Sequence, residues 1–312
     1  MIISASYRTD IPAFYSEWFR NRLRAGYCKA VNPYSGQIYR IDLAPEQVDG
    51  FVFWTKNIGP LLKYLPEVQT RNIPFVVQHS ITGYPHELEA RVAPVTQVVE
   101  SLKRLADDYG SERIVWRYDP ILFTSLTTFD WHKENFAMLA QQLEGLTDEV
   151  VISFAQVYRK TARNMEIAAH EYGFTWNEHR SEEFVLEHGL ALTKELAQIA
   201  DTYGMRVSIC SQQKFVIEGV SQEARCVDAN RLSRIAGKSV IAKERGNRTE
   251  CRCHASKDIG DYDTCPHGCV YCYAVNNRDL ALSRYKQHNP ESEFLFEPAI
   301  RTIQLSRANI EV

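Results

Sequence analysis

Three cysteines stand close together in the segment Cys265-Pro-His-Gly-Cys269-Val-Tyr271-Cys272. Three thiols within eight residues are too close for all of them to be ordinary core side chains. Thiolates spaced in this way can converge on one soft metal centre, and such ligands select iron–sulfur clusters, zinc or copper(I). The segment therefore predicts a metal site with three thiolate ligands.

A structural zinc site is the alternative interpretation of the same cysteines. Zinc in structural sites is tetrahedral and closed, so it needs a fourth protein ligand. The sequence offers four candidates for that position, namely His254, His267, Cys251 and Cys253. The spacing favours an iron–sulfur cluster but leaves zinc open.

Four more cysteines lie outside this segment, and they are enough to ligate a second metal site completely. They are Cys210, Cys226, Cys251 and Cys253. A second iron–sulfur cluster, a zinc site and unconnected residues all fit this number. The single residue between Cys251 and Cys253 is tighter than the common zinc hairpin spacing, which disfavours zinc. Cys28 stands alone and is expected to be a small buried side chain.

Six short apolar runs predict the strands that must position these groups. The runs cover residues 2–6, 51–54, 74–77, 113–116, 150–154 and 205–209. Each is nearly continuously apolar, which is typical of parallel strands that are covered on both faces. Helical spacing follows in several of the intervals, at 96–109, 131–143 and 190–203. The alternation predicts an α/β fold, a partial TIM-like (β/α) barrel of six or more strands over residues 1–218, with a doubly wound sheet as the alternative.

The remaining segment, residues 219–312, lacks this alternation and contains most of the cysteines. We predict that it is a cysteine-rich, cluster-binding segment that packs over the carboxyl ends of the strands. A short helix is predicted over 277–286, with Asn276 or Asn277 as its cap. Basic residues between positions 231 and 248 indicate a solvated surface rather than a phosphate-binding patch.

Polar and charged residues follow the ends of the predicted strands. Ligands bind at the carboxyl ends of parallel strands, so we expect a set of these side chains to line a cavity there. The set comprises Arg8, Asp10, Lys56, His79, Arg117 and Asp119. A structural ion pair is the alternative for Arg8 with Asp10 and for Arg117 with Asp119. Lys56 either reaches into the cavity, which we favour, or extends to solvent.

The composition excludes several other classes of protein. Apolar and charged residues make up 45% and 24% of the chain, as in ordinary soluble globular proteins. A formal net charge of −3 gives no electrostatic reason to expect nucleic acid as the main partner. With no apolar run long enough to span a membrane and no signal peptide, we expect a cytoplasmic location. Cysteine clusters in that compartment more often bind metal than form disulfides.

Four stretches together resemble a family of uncharacterised bacterial and archaeal proteins known only as a domain of unknown function. They are Ser-Ala-Ser-x-Arg-Thr-Asp-Ile-Pro-Ala-Phe-Tyr from position 4, Val-Phe-Trp-Thr-Lys-Asn from 52, Trp-Arg-Tyr-Asp-Pro-Ile from 116 and Asp-Ile-Gly-x-Tyr-Asp-Thr-Cys-Pro-His-Gly-Cys-Val-Tyr-Cys-Tyr-Ala from 258. The cysteine cluster of that family is likened to the motif of radical S-adenosylmethionine (SAM) enzymes. The Trp-Thr-Lys and Arg-x-Asp-Pro-Ile stretches are also distantly similar to strand ends in spore-photoproduct-lyase-like radical SAM proteins.

The radical SAM resemblance implies a cofactor and a reaction class. It implies that Cys265, Cys269 and Cys272, with Tyr271 beside them, ligate three irons of a four-iron, four-sulfur cluster whose fourth iron binds SAM. A small electron carrier, flavodoxin or ferredoxin, would reduce the cluster, and SAM cleavage would give methionine and a 5′-deoxyadenosyl radical that abstracts hydrogen from an unidentified substrate. A non-catalytic zinc-stabilised binding protein and a nucleic-acid repair enzyme of the lyase type are the alternatives.

The sequence departs from the radical SAM pattern in two ways. The Gly-Gly-Glu stretch that often binds SAM is missing, so Thr55, Lys56 or Asn57 is expected to take its role. The cysteine segment normally follows the first strand, whereas here it follows the sixth predicted one. This order implies a circular permutation, or a C-terminal segment that folds back over the strand ends.

Overall fold

The structure of the chain, a computed structural model, describes residues 1–33, 35–176 and 181–298. Its main feature is a sheet of eight strands, accompanied by a separate two-stranded hairpin. In chain order the strands are β1 (Ile2–Ala5), β2 (Tyr27–Val31), β3 (Ile38–Asp42), β4 (Gly50–Thr55), β5 (Phe75–Ser80), β6 (Ile114–Ile121), β7 (Glu149–Phe154), β8 (Arg206–Ile209), β9 (Gln222–Glu223) and β10 (Ser256–Asp258).

All strand pairs in the large sheet are parallel, and their spatial order is β10-β1-β4-β5-β6-β7-β8-β9. The predicted α/β fold and parallel sheet are therefore confirmed, and each of the six predicted strands is present. Among the residues that the structure describes, the edge strands β10 and β9 do not pair with each other. The sheet is consequently open, and a closed barrel is not formed.

The sequence did not predict the hairpin strands β2 and β3, nor two strands of the large sheet. The latter, β9 and β10, both come from the segment after residue 219. They are two and three residues long, and their residues Gln222-Glu223 and Ser256-Lys257-Asp258 are all polar. Hydrophobic periodicity cannot detect such strands, because a short polar edge strand carries no apolar run. Both add to the edges of the sheet that the first two thirds of the chain builds.

In chain order, the helices of the described residues are α1 (Ile11–Phe14), α2 (Ser16–Ala25), α3 (Gly59–Leu62), α4 (Leu65–Thr70), α5 (Val95–Tyr109), α6 (Phe129–Leu143), α7 (Arg159–Tyr172), α8 (Glu182–Thr202), α9 (Ala229–Ala236) and α10 (Arg278–Lys286). Of the four predicted helices, α5, α6 and α10 begin and end within two residues of the predicted bounds. The helices other than these three and α8 were not predicted. Asn277 caps α10 as predicted, and its side chain accepts hydrogen bonds from the first helical turn. No helix among the described residues has the length and apolar character needed to cross a membrane.

Two helix starts differ from the prediction. α5 begins at Val95, one residue before the predicted start, and its N-cap is Pro94. α8 begins well before the predicted start at 190, because it continues through Gly189. A Cβ atom at Gly189 would lie 2.6 Å from the ring of Phe215, so the glycine permits the helix to pack closely against that ring.

The two faces of the sheet have different roles. Residues that alternate along the strands, such as Phe53 on β4 and Trp116 on β6, pack under the helices in the main hydrophobic core, which also contains Cys28 as expected. The opposite face has a smaller apolar cluster that includes Val52 and Cys226 and is covered by the segment from 224 to 253. Side chains alternate between the two faces along each strand. The side chains that come after this apolar cluster on the second face therefore lead to the candidate site.

Candidate functional site

The cysteine segment of 265–272 follows edge strand β10, and the end of β10 is fastened to β1. Asp258 accepts hydrogen bonds from the hydroxyl groups of Ser4 and Ser6, at 2.9 and 2.7 Å, and from the backbone N–H of Tyr7, at 3.0 Å. Arg8 Nε lies 3.8 Å from the same carboxylate, so Arg8 pairs with Asp258, and the alternative pairing with Asp10 is wrong. Burial raises the pKa of Asp258, although Arg8 and these donors oppose the shift.

Asp10 joins three parts of the site. One carboxylate oxygen caps helix α1 by accepting from Ala13 N at 2.9 Å. The other accepts the backbone N–H of Lys56, at the end of β4, at 2.7 Å and lies 2.8 Å from Nε2 of His267 in the cysteine segment. The side chain is buried, so these bonds are shielded from water. Asp10 thus attaches the cysteine segment to the ends of β1 and β4.

A second carboxylate, Glu89, attaches the segment to the loop after β5. Glu89 Oε1 lies 2.8 Å from Lys56 Nζ, accepts from Thr82 Oγ1 at 2.6 Å and accepts from the hydroxyl of Tyr271. Burial acts to raise the pKa of Glu89, but the charge of Lys56 and these hydrogen bonds outweigh it and lower the pKa. Burial likewise acts to lower the pKa of Lys56, and Glu89 reverses the shift. Lys56 therefore lines a pocket of about 240 Å³, which is separate from the large cavity described below.

The backbone of the segment is held at the same strand ends. Val270 N donates to the carbonyl of Leu88 at 3.1 Å, and Arg91 Nε donates to the carbonyl of Pro266 at 2.7 Å. The ring of Tyr271 packs against the ring of Tyr84, with centroids 5.7 Å apart. These contacts place the segment across the carboxyl ends of β1, β4 and β5.

The three thiols of the segment suit a soft metal by their number and chemistry. Cys269 is buried, and Cys265 and Cys272 are partly buried. Burial raises the pKa of all three thiols, so a bound cation is needed to stabilise them as thiolates. Among the described residues, no three His, Cys, Asp or Glu side chains are placed so that they could hold a metal ion together. The donor set thus fits an iron–sulfur cluster in type, whereas the thiols as placed do not surround one centre.

The side chains that could complete a zinc tetrahedron with this triplet have other positions. His267 is bonded to Asp10, and Nδ1 of His254 lies 3.2 Å from both Ala229 N and the carbonyl oxygen of Val227. Cys251 and Cys253 contact each other, and Cys253 also contacts Cys226. These placements leave the triplet with three protein ligands among the residues described.

A cavity of about 580 Å³ opens beside the segment, at the carboxyl ends of the central strands. The sheet contributes Trp54, Arg117, Asp119, Ser153 and Cys210 to its lining, and the cysteine segment contributes Tyr271 and Tyr273. The hydroxyl of Tyr273 donates to the carbonyl of Tyr7, which also lines the cavity. The prediction that polar strand ends share one cavity thus holds for part of the predicted set, Arg117 and Asp119.

Arg117 and Asp119 form an ion pair and line the cavity at the same time. Arg117 Nε donates to Asp119 Oδ1 at 3.0 Å, and a second bond joins Nη2 to Oδ2. The guanidinium also lies 5.1 Å from the centre of the Trp54 ring. Burial acts to lower the pKa of Arg117, but the Asp119 carboxylate outweighs it and raises the pKa. The pair places a guanidinium and a carboxylate side by side in the cavity wall, where their charges balance each other.

His79, Thr55 and Asn57 occupy different environments. His79 is completely buried, and both of its ring nitrogens lack hydrogen-bond partners among the described residues. Burial lowers the pKa of His79 to about 3, which keeps the ring neutral. Thr55 and Asn57 are used within the turn after β4: Thr55 Oγ1 accepts from Asn57 N at 2.8 Å, and Asn57 Oδ1 accepts from Gly59 N at 3.0 Å.

The remaining four cysteines come together on the second face of the sheet. Cys210 lies at the end of β8, Cys226 follows β9, and Cys251 and Cys253 precede β10. The sulfur atoms of Cys226 and Cys210 are 3.6 Å apart, and Cys253 contacts both Cys226 and Cys251. All four also line the large cavity.

Three residues of the site were not predicted from the sequence. Glu89 lies in a loop without any recognisable motif, so nothing in the sequence indicated its role. Asp258 and Tyr273 lie within the stretch that carries the family resemblance, beside the cysteines. Their position in that stretch, beside the cysteines, was the available signal.

One known protein family matches nearly the whole chain. No curated protein matches the sequence. Residues 2–274 match the family described as a domain of unknown function, DUF1848, and this range includes all seven cysteines discussed above and every strand of the sheet. The chain belongs to this family of uncharacterised domains.

Proposed function

We propose that the protein is a radical SAM-type iron–sulfur enzyme in which Cys265, Cys269 and Cys272 hold a four-iron, four-sulfur cluster. One observation carries the proposal. The resemblance requires the cysteine segment to follow the first strand of the sheet, and in spatial order it does, because it follows edge strand β10, which pairs with β1. The late position in the chain is then a circular permutation of the usual order.

The same permutation supports a barrel-like description of the sheet. Counted from β10, eight parallel strands succeed one another across the sheet without interruption. We propose that they form a partial TIM-like (β/α) barrel whose second face surrounds the cavity. The cysteine segment lies across the strand ends that open into this space.

When bound and reduced, such a cluster supplies one electron that cleaves SAM and starts hydrogen abstraction from the substrate. The chain's own residues hold the cluster-binding segment in place and exclude water from it. Asp10 fastens His267, and Glu89 fastens Tyr271 and Lys56. These buried bonds hold the segment rigidly against three strand ends, as a positioned site requires.

Binding of SAM without a Gly-Gly-Glu stretch needs other polar groups. Thr55 and Asn57 have local partners, so we assign the role instead to buried groups without hydrogen-bond partners. Arg8 Nε, Thr9 Oγ1 and both ring nitrogens of His79 are of this kind among the described residues. Buried polar groups normally find a partner, so an unmade bond at these positions suits a ligand. We further propose a flavodoxin or ferredoxin as electron donor and a cytoplasmic location.

The proposal is tested by anaerobic reconstitution with iron and sulfide, followed by incubation with SAM and dithionite. We expect a brown, oxygen-sensitive protein that releases methionine and 5′-deoxyadenosine. The variant with Cys265, Cys269 and Cys272 all replaced by alanine should do neither. Cys28→Ala is the matched control, because Cys28 is buried in the main core. Reconstituted protein that holds iron and sulfide but cleaves no SAM would contradict the catalytic part.

A further inference from the structure

The four cysteines outside the triplet are brought together by the fold and not by local spacing. Cys210 N donates to the carbonyl of Ile152 on β7 at 2.9 Å, which fixes the backbone at the end of β8. The carbonyl of Cys253 accepts from Arg245 N at 2.8 Å, which fixes the backbone before β10. Cys226 lies between them and contacts both Cys210 and Cys253. Segments far apart in the sequence therefore deliver thiols to one place.

We propose that Cys210, Cys226, Cys251 and Cys253 form a closed site for a single zinc ion. This inference goes beyond the proposed function, since it concerns a different metal at a different set of residues. It assigns the site a structural role: the ion ties the segment that covers the second face of the sheet to the end of β8.

The distance between sulfur atoms favours one metal ion over a cluster. Cys226 Sγ and Cys210 Sγ are 3.6 Å apart. Two thiolates on one tetrahedral zinc ion are separated by about 3.8 Å, given a Zn–S bond of about 2.3 Å. In a cubane cluster each cysteine binds a different iron, so the ligand sulfurs lie farther apart.

Hydrogen-bond donors already point at two of these sulfurs. Arg117 Nη1 lies 2.8 Å from Cys226 Sγ, and Val227 N lies 3.4 Å from Cys253 Sγ. Arg117 is itself oriented by its ion pair with Asp119. The two donors are placed as the outer groups that hydrogen-bond to metal-bound thiolates are.

The backbone near Cys251 is closely fitted to this arrangement. A Cβ atom at position 246 would lie 2.3 Å from the carbonyl oxygen of Cys251 and 2.4 Å from its Cβ, so only glycine fits there. An isolated antiparallel β-bridge pairs the backbones of Glu244 and His254 and holds the two sides of this loop together. Cys251 and Cys253 contact each other, so both present sulfur to the same space.

Two features of the four cysteines, their spacing and the placement of their thiols, bear on the geometry of the zinc site. The one-residue spacing of Cys251 and Cys253 disfavoured zinc, but that rule describes hairpins that supply two ligands at a knuckle, and here the partner thiols come from distant segments. The thiols as placed touch in series and do not surround a point, in keeping with the lack of a ready metal-holding group among the described residues. Zinc uptake therefore requires the side chains to turn about Cα–Cβ.

The test is a metal analysis of the full-length protein after growth with zinc and with iron. We expect about one zinc ion per chain, retained when Cys265, Cys269 and Cys272 are replaced by alanine. The pair Cys226→Ser with Cys253→Ser should lose it, and Cys28→Ala should keep it. Cobalt(II) exchanged into the wild type should give the intense visible bands of a tetrahedral thiolate site.

The proposal is overturned if the wild-type protein holds no zinc or if the double serine variant keeps it. It is equally overturned if that variant loses iron and acid-labile sulfide instead, which would identify a second iron–sulfur cluster. Thiol titration that finds a Cys210–Cys226 disulfide in the anaerobic protein would also contradict it. If the double variant does not fold, treatment of the wild-type protein with a chelator decides the question. Removal of zinc must lower the midpoint temperature of unfolding, and added zinc must restore it.

Discussion

The two cysteine groups show two ways in which a chain can assemble thiols. Cys265, Cys269 and Cys272 lie in one short segment, so their proximity follows from the sequence spacing alone. The other four come from the ends of β8, β9 and the loop before β10, and only the completed sheet brings them together. The sequence therefore indicated that the first three thiols lie near one another, whereas for the other four it gave only their number.

The surroundings of the two groups differ as much as their origin. The triplet is bordered by two carboxylates and their partners, Asp10 with His267 and Glu89 with Lys56, and Tyr271 of its segment lines the large cavity. The four-cysteine group lines the same cavity directly, and Arg117 donates to one of its sulfurs. Three ligands leave a metal open to a small molecule, whereas four complete its coordination. The two proposals accordingly give the first group a role in reaction and the second a role in stability.

The largest expected effect is on metal content, which should respond differently to the loss of each cysteine group. Replacing all three triplet cysteines by alanine should abolish iron and sulfide uptake, because no other ligands replace them. Zinc content should stay unchanged in the same preparation. Both quantities are measured by elemental analysis and by assay of acid-labile sulfide. A parallel loss of both metals would show that the groups are not independent.

The second effect concerns the free energy of unfolding. Structural zinc contributes about 10 kcal/mol or more to the folding of small zinc domains. In a chain with a large core we expect a smaller loss, of several kcal/mol, for Cys226→Ser with Cys253→Ser. Urea unfolding followed by circular dichroism measures it. A loss no greater than that for Cys28→Ala would contradict the structural role.

Replacement of Lys56 by methionine tests the polar network around the triplet. Glu89 would then remain as an unpaired buried carboxylate, which costs about 3–5 kcal/mol. Adding Glu89→Gln should recover most of the loss, because the buried charge is gone. Lys133→Met is the matched control, since its pair with Glu195 is 35% and 44% exposed and contributes little. Equal losses of unfolding free energy for Lys56→Met and Lys133→Met would show that the buried pair stabilises the fold no more than the exposed pair does.

The smallest effect is a change in pH dependence from His79. Its folded pKa of about 3 lies below the unfolded value of about 6.5, so the unfolded state binds the proton first as pH falls. The neutral ring therefore contributes stability above pH 6.5 that is lost as pH falls towards 3. Between pH 7 and pH 5 the loss from this group is about 2 kcal/mol. His79→Leu should remove that slope in urea titrations at the two pH values. A wild-type slope retained in the variant would contradict the assignment.

The fold and the site were predictable to different extents. The six apolar strands were recognised because burial on both faces makes each a continuous apolar run. β9 and β10 were missed because they are short and polar, yet β10 is the strand that explains the position of the cysteine segment. Lys56 and Asp10 were found at strand ends, whereas Glu89 depends on a loop path that no periodicity describes. Pairing across long sequence separations, as in Cys210 with Cys226, becomes visible only in three dimensions.

The most direct test of the account is electron paramagnetic resonance of the reduced, anaerobically reconstituted protein with and without SAM. Three protein ligands leave one iron free, so SAM should change the spectrum of the cluster. The signal should be absent from the variant that lacks Cys265, Cys269 and Cys272, and unchanged in Cys28→Ala. A cluster spectrum that SAM does not alter, or a signal that survives loss of the triplet, would contradict the central claim.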